Sequence, residues 1–429
     1  MNCPKILIIG ATPWRPDHQT RSYESYFYYF PKEFLRQIFS NSLTPVKGIC
    51  GELYQITDGG LLKARFSKKD KTGRLFRYEN CLDGCPVKGP RISKRIPLKN
   101  TGLYRLIRKW IWKKRYWLTE ELLNWVVEFK PDLIFLCTGE DFFQYEIASY
   151  FSKELHVPII ASITDDVYFK NHFSLSPFWW IYKNLINKRI KSFMKLDVTG
   201  SFCSDKIKDK YCGYFGIPGF TQYIASKKAS FSLCSPLPIS IKKAFYFGNL
   251  EYGRWNSLVD IAGAFMKEKN VVEVHVYTSD YVSYKKKKRP SNLILHSPVS
   301  YAEVLEMTQK ADLLLIVESF KQKYVRDTAY SLSTKVADCL SSGRPILCYA
   351  HAQTGAAWFL KNKDAAIIAT NKEELELAVR QISNQAVDFE ALSNKEMQVF
   401  DACFNIEDQA ELFKERAEKI VQEFKLKND

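Results

Sequence analysis

The run Ser331-Leu-Ser-Thr-Lys335-Val-Ala-Asp338-Cys-Leu-Ser-Ser-Gly343-Arg-Pro345 holds residue types that suit a sugar phosphate. A phosphate is held best by backbone N–H groups at a helix start, where orphan donors and the helix dipole both favour negative charge. Ser331, Leu332, Ser333 and Thr334 form a polar lead-in to a helix, with Ser333 as the expected N-cap. Asp338 lies one turn beyond Thr334 and offers a carboxylate of the kind that accepts from ribose hydroxyls in dinucleotide folds. Gly343 is placed to end the helix, and Arg344-Pro-Ile-Leu-Cys-Tyr349 to open the next strand.

Such a segment needs a scaffold, and the pattern around it supplies one. Ala244-Phe-Tyr-Phe-Gly248-Asn249 opens a series of apolar strands, continued at 272–277, 292–296, 312–317, 345–349 and 365–369, with helical segments between them. This alternation is that of a doubly wound parallel sheet. The first half of the chain repeats the theme. Lys5-Ile-Leu-Ile-Ile-Gly10 reads as a buried strand ending in a glycine turn. Further strands are expected at 132–136, 157–163 and 196–201. Tyr23 to Phe39 reads as an aromatic helix, Leu103 to Phe129 as helical, and Ser204 as the N-cap of a helix to Tyr211. The fold class is therefore α/β, with a lobe at 1–225, a linker at 226–240, a second lobe at 241–395 and C-terminal helices at 396–429. The last of these, near 407–424, is expected to pack back on the first lobe.

Bulk properties agree with a two-domain globular protein. The chain has 429 residues, 46% hydrophobic and 26% charged, enough for a sizeable core in each domain and unlike a disordered chain. The net charge is +16. Between Lys63 and Arg115 eighteen cations face only Asp70, Glu79 and Asp83, so one stretch holds nearly the whole excess. A block this basic seeks an anionic partner. In it, Arg108, Lys109, Trp110, Trp112, Lys113 and Lys114 alternate cations with tryptophan at helical spacing, as suits a membrane interface. No apolar run is long enough for a membrane span or a signal peptide, so a cytoplasmic chain with reduced cysteines is expected. Cys81 and Cys85 have no second pair nearby, which makes a zinc site a poor reading.

The order Ser-Thr-Lys-x-x-Asp-x-x-x-x-Gly-x-Pro resembles the donor signature of GT-B glycosyltransferases of family 4 and their relatives. The resemblance covers the second lobe. Gly248-Asn249 through Gly253-Arg254-Trp255 is similar to that family's first strand and diphosphate loop, and His296-Ser-Pro298-Val299 to the strand end whose backbone meets the base. Asp312 to Phe320 is similar to the strand before the donor loop. The resemblance implies two Rossmann-like lobes with a cleft between them and a nucleotide-sugar donor, UDP- or GDP-linked. It implies that Asp338 binds the ribose, that Arg254 pairs with the diphosphate, that Lys335 approaches the phosphates or caps the donor loop, and that Ser331, Leu332 and Ser333 offer backbone N–H groups. Tyr330 stands where many family members carry a glutamate, and Glu318 is the acid that can stand in for it near the sugar. In the first lobe, Asp165 and Asp166 follow a strand where a carboxylate can orient the acceptor hydroxyl or take its proton, although Asp166 can equally cap the next helix. Gly10, Thr12 and Arg15, at the first strand-to-helix turn, are expected to face the same cleft from the acceptor side.

The resemblance implies transfer of a sugar with retention, and the basic, aromatic first lobe points to a lipid-linked saccharide in cell-surface polysaccharide synthesis as acceptor, at the inner face of the membrane. Neither a metal nor a cofactor is expected, since the side chains of adjacent acids such as Asp165 and Asp166 need not converge on one ion. A nucleotide-sugar epimerase of the same fold is the alternative enzyme. A nucleic-acid-binding protein is the alternative from another class, without a recognisable motif to support it.

Overall fold

The computed structural model describes residues 3–15, 22–67, 72–83, 101–170, 174–227 and 237–428. The chain divides into two compact units, residues 1–222 with 409–429, and residues 223–408. Residues 228–236 of the expected linker, Cys85, and much of the basic block lie outside the described residues.

The first unit is built on eight strands: β1 (Ile6–Gly10), β2 (Leu35–Phe39), β3 (Glu52–Ile56), β4 (Gly73–Arg77), β5 (Leu133–Cys137), β6 (Ile159–Ile163), β7 (Val198–Phe202) and β8 (Gly219–Thr221). Their order is β4-β3-β2-β1-β5-β6-β7-β8. Only β4 runs antiparallel to its neighbour. β1 and β6 are buried along their whole length, as strands covered on both faces must be. The chain reverses its winding between β1 and β5, which leaves a crevice at their carboxyl ends.

The C-terminal helix Ile406–Asn428 completes this unit's core. Phe413, Ala417 and Val421 sit in the same apolar cluster as Ile6, Ile8, Phe27 and Phe135. The Phe413 ring lies edge-on 4.9 Å from Tyr26 and 5.6 Å from Phe27. The helix Phe389–Cys403 stays with the second unit, so the segment 396–429 is divided between the two.

Two stretches differ from their sequence reading. Only Ser22–Phe27 of the aromatic run is α-helical. Pro31 leads a single 3-10 turn, and Leu35–Phe39 then joins the sheet beside β1, where its buried side chains find partners on both faces. The stretch from Leu103 to Phe129 is three helices: Gly102–Ile111, Lys114–Trp117 and Glu120–Phe129. Thr101 and Thr119 each start a helix, their hydroxyls accepting from Tyr104 N at 3.3 Å and Leu122 N at 3.2 Å.

The second unit has six parallel strands: β9 (Lys243–Phe247), β10 (Glu273–Tyr277), β11 (Leu293–His296), β12 (Leu313–Val317), β13 (Ile346–Tyr349) and β14 (Ile367–Ala369). Their order, β11-β10-β9-β12-β13-β14, is the doubly wound one. Residues alternate along β12. Leu313, Leu315 and Val317 enter one core with Trp255 and Leu258, while Leu314 and Ile316 enter another with Val336, Leu340 and Phe400. Helices on both faces thus hold the carboxyl ends of β9 and β12 side by side, at the point where the winding reverses.

Candidate functional site

The loops that leave β9 and β12 carry the residues singled out in the second half of the sequence. Gly248, directly after β9, has φ +146°, and a Cβ there would stand 2.2 Å from Lys335 Cε. The positive φ is what favours glycine there, since side chains rarely adopt it, and the end of the lysine chain passes close over the backbone. Tyr252 and Gly253 then take successive left-handed conformations, with φ 57° and 78°. They bring the chain into the helix Arg254–Phe265, whose N-cap is Gly253 and which has no side-chain cap. The Arg254 N–H is taken by Glu251 O, and no side chain caps the N–H groups that follow it in the first turn.

Arg254 opens that helix. It is buried, and its guanidinium grips Glu318 through two bonds, Nε to Oε2 at 3.0 Å and Nη2 to Oε1 at 3.1 Å. Its Nη1 donates to Asn249 Oδ1 at 2.6 Å. Burial works against the charge on Arg254, but Glu318 beside it more than offsets this, and the pKa is raised. Glu318, at the end of β12, is itself buried, and its backbone carbonyl accepts from Ser257 Oγ at 2.7 Å. Both carboxylate oxygens are engaged by Arg254. The structure thus places Glu318 as the strut that aims Arg254, not as an acid open to a sugar.

Lys335 approaches from the other side. Its Nζ lies 5.5 Å from the centre of the Tyr246 ring, whose hydroxyl donates to Asn249 O at 2.7 Å. Burial, then repulsion from Arg254, lowers the Lys335 pKa to about 8, with Glu318 and Asp338 pulling the other way. Two cations therefore share a desolvated corner in which Glu318 is already bonded to one of them. A diphosphate would supply the missing negative charge.

Asp338 completes the group. It is only 7% exposed, and its Oδ1 accepts from Ser226 Oγ at 2.8 Å and Tyr301 Oη at 2.9 Å. Two side-chain hydroxyls thus meet on one carboxylate oxygen. The helix that carries Asp338, Lys335–Ser341, has Thr334 rather than Ser333 at its N-cap, again without a side-chain bond. Ser331 to Thr334 form the half-buried loop before it. Pro298 is exposed and Val299 half-buried, just past the end of β11. Ser300 then caps the helix Tyr301–Gln309 in a reciprocal box with Glu303, and this capping delivers Tyr301 to Asp338. Sequence reasoning missed Tyr301, Ser226 and Tyr246. The Ser300-x-x-Glu303 box was a legible signal for the first of them; the other two meet the site only through the fold.

The pKa of Lys335 gives a testable consequence. Binding an anion favours the charged lysine, so diphosphate affinity should be greatest below pH 8. Above that, affinity should fall by up to about tenfold per pH unit as the free protein loses the proton. Calorimetric titration with UDP from about pH 7 to 9.5 should show that slope in the wild type. A weaker and nearly flat profile is expected for Lys335→Met.

In the first unit, Gly10 ends β1 at the crevice, and a Cβ there would lie 2.7 Å from the Tyr23 hydroxyl. That buried hydroxyl donates to Thr12 O at 2.9 Å, and Gln37 Nε2 donates to the same carbonyl at 3.1 Å. The loop Gly10–Thr12 is thus bolted down, and Arg15 follows it half-buried. The two adjacent acids after β6 part company. Asp166 is a fastener: Oδ1 accepts from Phe169 N at 2.8 Å and Tyr211 Oη at 3.1 Å, and Oδ2 from Lys210 Nζ at 2.9 Å. These bonds close the turn at 167–169 and cap no described helix, since the next one starts at Pro177 with Ser176 as its N-cap; both Asp166 oxygens are engaged. Asp165 has an exposed side chain, but desolvation of its carboxyl raises the pKa, with Lys170 pulling the other way. No group of three or more potential metal ligands occurs among the described residues.

The basic helix is also divided. Trp110 is 44% exposed, and Lys113 and Lys114 face outward. Lys109 is half-buried, its ammonium 4.8 Å from the Phe142 ring centre. Trp112, by contrast, is 1% exposed, stacked 3.6 Å from Phe143, and donates from Nε1 to Asp58. Arg108 bonds both oxygens of Asp58 at 3.0 Å and Asp141 Oδ2 at 2.5 Å. Those two residues hold the helix to the unit and are removed from any outer contact surface.

No family model matches the sequence, and no curated protein matches it. Solved structures do. HepE of Anabaena, solved in complex with UDP, matches with a TM-score of 0.61 and 11% identity over 97% of this chain and 100% of its own. Sucrose-phosphate synthase of Thermosynechococcus elongatus matches with a TM-score of 0.58 and 8% identity over 97% of this chain and 99% of its own. WaaG, a glycosyltransferase involved in lipopolysaccharide biosynthesis, matches with a TM-score of 0.53 and 12% identity over 97% and 99%. With two Rossmann-like sheets and full-length likeness to these enzymes, the chain has the fold of the GT-B glycosyltransferases.

Proposed function

We propose that this protein is a glycosyltransferase that takes a sugar from a UDP- or GDP-linked donor and passes it to an acceptor hydroxyl. The observation that carries the proposal is the cluster of Arg254, Lys335 and Asp338 at the carboxyl ends of β9 and β12. A diphosphate seated against Arg254, Lys335 and the uncapped start of helix Arg254–Phe265 would be stabilised most as the bond to the sugar breaks and charge builds on its oxygens. Ribose hydroxyls would displace those of Ser226 and Tyr301 on Asp338. Because two side-chain cations supply this stabilisation, the reaction is proposed to need no metal. Of the two acids after β6, Asp165 is free to orient the acceptor hydroxyl, while departing phosphate oxygen takes its proton and the sugar is transferred with retention. HepE has been solved with UDP-glucose, which favours a hexose on a uridine carrier as the first donor to try.

The acceptor is proposed to be a lipid-linked saccharide in cell-surface polysaccharide assembly, met at the inner face of the membrane. No described helix is long and apolar enough to cross a membrane. The test is incubation of the full chain with radiolabelled UDP- and GDP-sugars and a bacterial lipid extract. Label entering the organic phase, with release of nucleoside diphosphate, is the expected result. Conversion of one nucleotide sugar into another without transfer would mean an epimerase, and consumption of none would refute the reading.

A further inference from the structure

Helix Gly102–Ile111 has a bolted inner face and an open outer one. Arg108 and Trp112 fix its rotation through Asp58, Asp141 and Phe143. The opposite stripe, Leu103, Ile107 and Trp110, falls at the spacing of a single helix face and is exposed. Two neighbouring helices extend it. The Arg65 guanidinium of helix Asp58–Phe66 lies 3.2 Å from the Trp110 ring centre and donates to Trp110 O at 2.9 Å, and Phe66, the next residue, is 79% exposed. At Gly102 a Cβ would stand 2.3 Å from Trp179 N, so helix Pro177–Phe193 crosses in backbone contact, with Phe178 and Ile181 exposed. Six large apolar side chains on three packed helices exceed the scattered exposure normal for a surface.

Charge identifies the partner. Apart from Asp58, which Arg108 neutralises, every charged residue on helices Asp58–Phe66, Gly102–Ile111, Lys114–Trp117 and Pro177–Phe193 is a cation. Lys63, Lys113, Lys114 and Arg115 are exposed around the apolar stripe. We infer that this face of the first unit inserts Leu103, Ile107, Trp110 and Phe66 into an anionic lipid surface, with the surrounding lysines and arginines at the headgroups. An apolar row rimmed by cations is the composition of an interfacial anchor. A protein partner of the same chemistry would have to match the stripe with an acidic apolar groove; a second copy of this chain offers only more cations here. The inference rests on the proposed function for the acceptor's location, but it concerns a different surface from the nucleotide cluster.

The test is cosedimentation of the full chain with vesicles of phosphatidylcholine alone, and with about one-third phosphatidylglycerol. Strong binding to the anionic vesicles only is expected. Raising salt from ~0.1 to ~0.5 M should weaken it without abolishing it, since insertion is not screened. The double variant Ile107→Glu with Trp110→Glu should lose at least about tenfold in partitioning, because two buried apolar side chains are replaced by anions. Unchanged melting and unchanged UDP affinity in that variant would show that the fold and the nucleotide reading stand apart. Wild-type indifference to both vesicle types, or variant binding equal to wild type, would overturn the inference. A wild-type dimer that the variant breaks, with no vesicle binding, would overturn it too and assign the face to self-association.

Discussion

Replacing Asp338 with alanine is expected to lower glycosyl transfer at least a hundredfold while the second unit stays folded. The carboxylate is placed to accept from two ribose hydroxyls, and hydrogen bonds to a charged group contribute about 1.5–3 kcal/mol each. Losing both is a loss of roughly 3–6 kcal/mol, and each 1.4 kcal/mol is about tenfold in affinity. The structural cost is smaller. Ser226 and Tyr301 lose their common acceptor, but half-buried Tyr301 can turn to water, which leaves buried Ser226 with one unmet hydroxyl at about 1–3 kcal/mol. Asp338→Asn, which keeps size and one acceptor but not charge, should fall between the two. Donor affinity by calorimetry and melting temperature, measured on the same samples, separate binding from folding. Normal turnover by the alanine variant would sink the ribose assignment.

Arg254→Ala is expected to do two things at once, abolish donor binding and destabilise the second unit. Glu318, buried at 4% exposure, would be left without its arginine partner. Breaking one side of a buried ion pair costs about 3–5 kcal/mol. For a unit of this size that is a fall of roughly 6–20 °C in melting temperature. Replacing both members tests whether Arg254 also binds ligand. Arg254→Met with Glu318→Leu removes the two charges together and fills their volume, an exchange that is often neutral or stabilising. The double variant should therefore recover most of the melting temperature and still fail to bind UDP. Recovery of UDP binding along with stability would mean that Arg254 is a structural cation only.

The same pair shows where sequence reading succeeds and stops. Arg254 follows the Gly248–Gly253 turn closely, so local order places it at the end of β9. Glu318 is 64 residues away, and its role depends on which strand lies beside β9. A carboxylate at a strand end reads as catalytic until the winding reversal sets it against an arginine. Asp165 and Asp166 pose a similar problem. They are adjacent, alike and at a strand end, and only the contacts of Lys210, Tyr211 and the Phe169 amide tell fastener from free acid. The six parallel strands of the second unit were legible because each is a short apolar run between turn residues. The basic helix was half legible. Cations and tryptophans fall on both of its sides, so periodicity alone does not separate Trp110, which faces out, from Trp112, which lies 1% exposed in the core. Leu35–Phe39 was lost inside an aromatic run because its strand begins a single turn after a helix ends.

The Ser331–Pro345 segment now has a defined environment. Asp338 and Lys335 lie on one short helix, with Arg254 across from them and Tyr301 reaching in from the end of β11. The central claim is that this environment binds a nucleoside diphosphate. Calorimetric titration of UDP and of uridine into the wild type and Asp338→Ala at about pH 7 tests it most directly, well below the titration of Lys335 near 8. Saturable UDP binding by the wild type, much weaker uridine binding and at least a tenfold loss in the variant are expected. Equal UDP affinity in both proteins, or no binding of UDP or GDP by the wild type, would contradict it.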